Sequence, residues 1–97
     1  MSKIVNITAA TTTTTLLQAG TQDTGRISKI HISNNDSSSE DISVYLHDGS
    51  SSFYFIKGLT LPANTSFLLE DCLSFDVEKY TLKIDHENSP NLSIIIK

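Results

Sequence analysis

The sequence predicts an all-β domain folded as a two-layer antiparallel β-sandwich of about eight or nine strands. Three observations predict it. Short segments of alternating apolar and polar side chains follow one another along the whole chain. Clusters of Asn, Asp, Ser, Gly and Pro separate these segments, and no stretch has the periodicity of a helix. This spacing is typical of a jelly roll or an immunoglobulin-like sandwich.

Length and composition fit a single domain over residues 1–97. Only 38% of the residues are hydrophobic, and Ser and Thr fill the deficit. These residues favour turns and strands over helices. A core of this size is thin, so we expect a partner to contribute to stability.

The first half of the chain begins with a predicted strand at residues 3–8 and an exposed one at 11–18. The five consecutive Thr residues at 11–15 leave a low-complexity linker as the alternative. Residues 1–17 are therefore predicted to be an N-terminal arm or an edge strand. A turn at 20–25 precedes a strand at 27–33, and the polar residues 34–40 are predicted to form a surface loop.

The clearest alternation lies at residues 42–47, where Ile42, Val44 and Leu46 face inward. Asp48 and Gly49 predict a hairpin turn, and residues 53–57 form the return strand. Its alternation places Phe53 and Phe55 on one face and Tyr54 and Ile56 on the other. Gly58 is predicted to end this strand. Further strands are expected at 59–62, 66–70, 80–86 and 92–96, with a bend at 71–76.

The net charge of −4 argues against a nucleic-acid partner, because Arg26 is the only Arg and the Lys residues are scattered. The single cysteine, Cys72, excludes an internal disulfide and fits assembly in a reducing cytosol. No signal peptide and no apolar run long enough to span a bilayer is visible, so we expect no membrane partner.

The residues that carry chemistry do not form a recognisable catalytic or metal site. Cys72 follows Asp71, whose carboxylate disfavours the reactive thiolate, so a small buried residue is the simpler reading. No nucleophile elbow and no Gly-rich phosphate loop occurs. We therefore predict no catalytic residue, no cofactor-binding residue and no enzymatic activity.

Metal binding would need ligands that converge. His31, His47 and His86 fall on three different predicted strands. The acidic pairs Glu40–Asp41 and Glu70–Asp71 point to opposite faces and sit at strand ends, where solvated charge is expected. We predict no metal ligand.

The one concentration of aromatic side chains contains Phe53, Phe55, Tyr45 and Tyr54. The two sides of a packed hairpin explain it most simply, because aromatic residues dominate small cores. The alternative is an interface or a carbohydrate-binding face, for which Tyr45 beside His47 and Asp48 is the candidate.

Five stretches are similar to short virion structural proteins of tailed bacteriophages, especially those of marine bacteria. They are TLLQA at 15–19, GRISKIHISN at 25–34, ISVYLHDG at 42–49, YFIKGLTLPANTS at 54–66 and YTLKI at 80–84. The resemblance implies a β-sandwich that coats or joins a virus particle, and it implies no active-site residues.

The function expected from this resemblance is that of a capsid decoration protein, which binds the major capsid protein or other virion proteins. A tail, neck or fibre component and a carbohydrate- or receptor-binding module are the alternatives. We expect a homo-oligomer, for which a trimer is plausible by analogy, located in the virion after assembly in the host cytoplasm. Strand edges are the expected route of contact, with residues 2–17 as the first candidate and 92–96 as the second. The acidic balance suits an outer surface better than contact with packaged DNA.

Overall fold

A computed structural model describes residues 3–8, 11–17, 26–70, 73–76, 78–87 and 90–97. Within these ranges the chain forms strands and no helix, so the predicted all-β class is confirmed. None of the described elements is a helix long and apolar enough to cross a membrane. The strands are β1 (Lys3–Ile7), β2 (Thr13–Leu17), β3 (Arg26–Ile27), β4 (Ile30–Asn34), β5 (Glu40–His47), β6 (Ser52–Leu61), β7 (Ser66–Leu69), β8 (Leu73–Ser74), β9 (Thr81–Asp85) and β10 (Leu92–Ile96).

Eight of these strands form a sandwich of two four-stranded sheets. Sheet A has the order β1-β10-β4-β7, and sheet B has the order β2-β9-β5-β6. All neighbouring strands are antiparallel. The chain crosses between the sheets at nearly every connection, and its last sheet A strand lies between the first two. This order is that of a jelly roll and distinguishes it from the immunoglobulin-like alternative, in which sequential strands pair more often.

The core lies between the two sheets and is almost entirely aliphatic. Its fully buried members come from every strand of sheet A except β7 and from all four strands of sheet B. Burying each such side chain contributes about 1.5–3 kcal/mol, so this layer supplies most of the driving force for folding. The inward side chains of β5 (Ile42, Val44, Leu46) and of β9 (Leu82, Ile84) all pack there, as their alternation predicts.

The predicted strand at 27–33 is two strands in the structure. Ser28 and Lys29 interrupt it, because their backbone N–H groups both donate to the Lys97 carbonyl, at 2.7 and 3.1 Å. Ile27 consequently leaves sheet A and pairs with Leu73 in a separate two-stranded ladder of β3 and β8. Its second strand, β8, lies within the predicted bend at 71–76, where the sequence pattern does not indicate a strand.

The predicted break at Gly58 is wrong, because β6 continues through it. Gly58 has a φ of 66° and its N–H donates to Ser43 Oγ at 2.9 Å. The register with β5 shifts twice along β6, as β-bulges require. One shift places Phe55 and Ile56 both against the core, so the expected alternation of Phe53 and Phe55 against Tyr54 and Ile56 does not hold.

The loop predicted on the surface at 34–40 contains a fully buried residue. Asn34 has 0% of its surface exposed. Its Nδ2 group donates to the carbonyls of Ser38, Leu61 and Pro62 at 3.0–3.2 Å, and its Oδ1 accepts from the Asp36 N–H at 3.0 Å. Asn34 therefore ties this loop to the corner after β6, a role that polar composition does not reveal.

The two segments proposed as routes of contact, residues 2–17 and 92–96, occupy different positions in the sheets. β1 and β2 are the edge strands of sheets A and B. β10 is paired with β1 on one side and β4 on the other. The prediction that residues 92–96 offer a free edge is therefore wrong, because an interior strand has both hydrogen-bonding edges filled.

Candidate functional site

The three histidines are not brought together. His31 lies on β4 of sheet A and His47 on β5 of sheet B, while His86 is buried beside Thr14, whose Oγ1 is 2.8 Å from its Nε2. Among the described residues, no group of three or more His, Cys, Asp or Glu side chains is placed to hold a metal ion. Cys72 and Asp71, named in the sequence-based search, lie outside the described residues.

Glu40 and Asp41 point to opposite faces, as adjacent residues on a strand must, but only Asp41 is the solvated charge that the sequence predicts. Asp41 is exposed and accepts a hydrogen bond from Thr60 Oγ1 at 2.6 Å. Glu40 has only 3% of its surface exposed, and its Oε2 has no hydrogen-bond partner among the described residues. The expectation of solvated charge at this strand end is wrong for Glu40.

Two other carboxyl groups face Glu40, from Glu87 after β9 and from Asp36 in the loop after β4. The pKa of Glu40 is raised to about 7, mainly by burial and in addition by the hydrogen bonds and negative charges of Glu87 and Asp36. The fold therefore holds Glu40 protonated below neutral pH. The three acids are distant in sequence, so only the strand order brings them together.

The aromatic concentration divides between the interior and one open face. Tyr45 is 7% exposed, and its hydroxyl donates to Asp85 Oδ1 at 2.9 Å. Its ring lies 4.9 Å from that of Tyr54, which is 43% exposed on the same face. Lys57 places its Nζ 4.9 Å from the Tyr54 ring centre. Tyr54, and not the predicted Tyr45, is therefore the aromatic ring available to a ligand.

The outer face of sheet B carries a polar groove of about 300 Å³ beside these tyrosines. The groove is lined by Thr15, His47, Asp48, Gly49, Lys79, Thr81 and Lys83. The register aligns Thr15 on β2, Lys83 on β9, Tyr45 on β5 and Tyr54 on β6 in a single row across the sheet. The groove is thus lined by residues of β2, β9 and β5 and by the turn after β5, and Tyr54 lies beside it in the same row.

The carboxylate of Asp48, which lines this groove, accepts hydrogen bonds within the hairpin turn. Its Oδ1 accepts from the backbone N–H of Ser50 at 3.0 Å and of Ser51 at 2.8 Å. The backbone bonds from Ser51 and Ser50, with a smaller contribution from the charge of Lys79, hold the pKa of Asp48 below its usual value. Its carboxylate therefore caps the hairpin turn.

The outer face of sheet A has a different character, with one apolar row beside one polar row. Ile4, Ile95, His31 and Leu68 are aligned across β1, β10, β4 and β7. Ile4 is 70% exposed and Leu68 is 46% exposed. A groove of about 210 Å³ follows the row and is lined by Lys29, His31, Leu68, Ile95 and Lys97.

The neighbouring row consists of Asn6, Ser93, Ser33 and Ser66. Ser93 donates to Asn6 at 3.0 Å and accepts from Asn35 at 2.8 Å, and Ser33 donates to Asn35 at 2.9 Å. This face therefore has a fixed polarity, with an apolar side and a hydrogen-bonded side.

Sequence reasoning named His47 and Asp48, which line the sheet B groove, but it did not identify the row across either sheet. Strand alternation alone marks Lys83, Tyr54, His31 and Ile95 as residues on one side of their strands. Which strands are neighbours depends on pairings between distant parts of the chain, such as β1 with β10. Without that order, a row across four strands cannot be read from the sequence.

No protein-family model and no curated protein matches the sequence. Among solved structures, the crystal structure of PirA is similar with a TM-score of 0.56 and 11% identity over 98% of this chain and 91% of that chain. The Anabaena sensory rhodopsin transducer gives a TM-score of 0.49 and 8% identity over 94% of this chain and 99% of its own. A chain in the structure of infectious bursal disease virus, Gx strain, gives 0.43 and 14% identity, covering 98% of this chain and 32% of that one. The likeness to PirA concerns the fold alone.

Proposed function

We propose that this chain is a non-enzymatic structural protein of a virus particle, most specifically a decoration protein that binds shell subunits of a phage head and bridges them. The major capsid protein is its proposed partner, and the virion is its proposed location. The observation that carries the proposal is the apolar row of Ile4, Ile95, His31 and Leu68 on the outer face of sheet A.

This row supports the proposal because three of its four side chains are aliphatic and it extends across all four strands of the sheet. A monomer exposes single apolar side chains routinely, but a contiguous set with a polar border is typical of an interface. The hydrogen-bonded row of Asn6, Ser93 and Ser33 supplies that border on one side. Lys29 and Lys97 extend the other side, where Glu70 follows β7.

The row ends at β1, which is the edge strand with the least protection against further pairing. β2 and β6 carry register shifts, and β7 has only four residues. β1 pairs with β10 over five residues without a shift. A regular edge accepts an added strand, whereas bulged or short edges resist it. β1 and the apolar row therefore form one continuous surface for a neighbouring subunit.

The area of such a face is small compared with a standard interface of about 800 Å² per partner. Each contact is therefore weak by itself. A particle presents many equivalent positions, and a protein that touches two subunits at once gains from effective concentration. A bridging role on a repetitive shell suits a surface of this size.

The proposal is tested by incubating the purified protein with shells that lack it and measuring co-sedimentation. We expect the wild-type protein to bind and Ile4→Lys and Leu68→Lys to bind at least tenfold more weakly, because each buries a charge in the contact. Phe53→Lys is the matched control, since Phe53 is equally exposed on sheet B. A wild-type protein that stays free and monomeric, or equal loss in the Phe53 control, contradicts the proposal.

Copy number in purified virions distinguishes this role from that of a tail, neck or fibre component. A shell protein is expected in hundreds of copies, whereas rings of the tail machinery hold about six or twelve. Quantitative mass spectrometry against the major capsid protein measures the ratio directly.

A further inference from the structure

We propose that the groove on the outer face of sheet B is a binding site for an acidic carbohydrate, a sugar that carries a carboxylate or sulfate group. This site lies on the opposite sheet from the contact surface proposed above and goes beyond the structural role. The two surfaces would let one chain hold a particle with sheet A and present a ligand site outward with sheet B.

The groove is cationic in a protein whose net charge is −4. Lys79 and Lys83 line it together with His47. The side chain of Lys83 forms no hydrogen bond or ion pair with the described residues, although its backbone is paired with β2 and β5. Lys57 lies on the adjacent strand, over Tyr54. Half of the six lysines of the chain therefore surround one shallow site, a concentration that favours an anionic ligand.

The carboxylates near the groove are held in place by hydrogen bonds from the fold, and the charge of one of them, Asp48, interacts with that of Lys79. Asp48 accepts from Ser50 and Ser51 in the hairpin turn. Asp85 accepts from Thr13 Oγ1 at 2.8 Å and from the Tyr45 hydroxyl at 2.9 Å. A ligand anion would therefore contact Lys83 first, because the charge of Lys79 already interacts with Asp48.

The remaining walls fit a sugar better than a bare anion. The volume of about 300 Å³ exceeds what an inorganic ion fills and matches the lower limit of small-molecule sites. Thr15 offers a hydroxyl on the floor, and Tyr54 offers an exposed ring in the same row as Lys83. Lys83 on β9 and Tyr54 on β6 are separated by two strand spacings, or about 10 Å, which is on the scale of one or two sugar rings.

A nucleic acid is the less suitable occupant. A phosphate backbone needs a long track of cations, and a chain of net charge −4 repels it outside the groove. The groove lining contains no Phe, Tyr or Trp, and Tyr54 beside it is a single exposed ring, whereas single-stranded nucleic acids bind to several stacked rings in succession. The compact arrangement of two lysines, one histidine and one tyrosine suits a single acidic residue of a glycan.

The test is a titration of the ¹⁵N-labelled protein, followed by NMR, with trigalacturonic acid, a sulfated disaccharide, a neutral trisaccharide and inorganic phosphate as separate probes. We expect saturable shifts at Thr15, His47, Lys83 and Tyr54 with the acidic sugars. The two acidic probes distinguish carboxylate from sulfate as the recognised group. We expect the neutral sugar and phosphate to bind at least tenfold more weakly, because the neutral sugar lacks the negative charge and phosphate lacks the sugar ring.

Lys83→Gln should weaken the acidic sugar about tenfold, and Tyr54→Ala should weaken it by a comparable factor. Lys29→Gln, on the outer face of sheet A, is the matched control and should leave affinity unchanged. Thermal unfolding of each variant verifies that it is folded. Phosphate binding as tight as the sugar, equal loss in the Lys29 control, or no saturable shift with either acidic sugar overturns the proposal. Lys83→Gln and Tyr54→Ala leave the sheet A surface intact, so shell binding in Lys83→Gln separates failure of this site from failure of the structural role.

Discussion

Asn34 joins three parts of the fold through one side chain. It contacts the loop after β4, the end of β6 and the corner at Pro62, and it is entirely buried. A buried amide of this kind is stabilising only as long as all its partners are present, because each carbonyl left alone loses its hydration without compensation.

Asn34→Ala is accordingly expected to lower the free energy of unfolding by about 2–3 kcal/mol, since it removes the donor to the Leu61 and Pro62 carbonyls. Urea denaturation followed by circular dichroism measures it. Asn91→Ala is the control, because Asn91 is exposed and only its backbone carbonyl is engaged, by Asn35 N–H. A change below 1 kcal/mol in Asn34→Ala would contradict the role assigned to this side chain.

Glu40 makes the stability of the molecule depend on pH. Its pKa is about 7 in the folded chain against 4.5 for an unperturbed Glu, so the folded state binds the proton more tightly than the unfolded state. Its contribution is fully present below about pH 4.5 and is lost as pH rises to about 7. The linkage corresponds to a loss of up to about 3 kcal/mol across this window.

Glu40→Gln is therefore expected to be more stable than the wild type at pH 8 and to show a flatter stability profile between pH 5 and 8. Denaturant titrations at several pH values measure the profile. Glu78→Gln is the matched control, because Glu78 is exposed. If Glu40→Gln retains the slope of the wild type, the proton is not held at this site.

At the scale of elements, β6 shows how a glycine can extend a strand and not end it. Gly58 is in the left-handed region, and a Cβ added there would meet no atom within 4 Å. A substitution at Gly58 therefore lowers stability only through backbone strain and not through a steric clash. Because L residues with side chains avoid this region, Gly58→Ala is expected to lose about 1–2 kcal/mol of stability.

Gly58→Asn is the matched variant, because Asn tolerates positive φ better than Ala, as Asn64 does in this chain at φ 57°. It is expected to lose less stability than Gly58→Ala in the same chemical denaturation. Equal losses would mean that the bulge is rebuilt or that the glycine is required for another reason.

The elements that the sequence predicts well are those in which period-two alternation continues to the strand ends. β5, β9 and β10 present their aliphatic residues to the core as alternation requires. The errors occur where a hydrogen bond from a distant residue changes the backbone. Ser43 supports the bulge at Gly58, and the carbonyl of Lys97 separates β3 from β4. These partners lie outside any local window, so propensity and pattern cannot reveal them.

At the scale of the whole molecule, sheet order decides both candidate surfaces. Alternation identifies which side of a strand His31 or Lys83 occupies. The row of Ile4, Ile95, His31 and Leu68 exists only because β1 and β10, from the two ends of the described chain, are neighbours. Residue types alone lead us to expect no catalytic chemistry, whereas the places where a partner or a ligand would bind required the fold.

The same topology predicts slow folding. Pairing β1 with β10 and β2 with β9 joins residues far apart in the chain, and the entropy of closing such loops precedes the gain from contact. We expect the main refolding phase between milliseconds and seconds, as for other all-β domains of this size. Stopped-flow tyrosine fluorescence after dilution from urea measures it. A main phase complete in microseconds would contradict the non-local strand order.

In the jelly roll, the residues of the two outer sheet faces can change independently of the residues of the core. Because His31 and Ile32 are consecutive yet face solvent and core, substitutions at outward positions change recognition without changing packing. Insertion of one residue inside a strand has the opposite effect, since it would exchange inward and outward side chains over the rest of that strand. Length changes are therefore best tolerated in an exposed connection such as residues 48–51, whereas the connection at 62–65 is bound to Asn34 and Asp36.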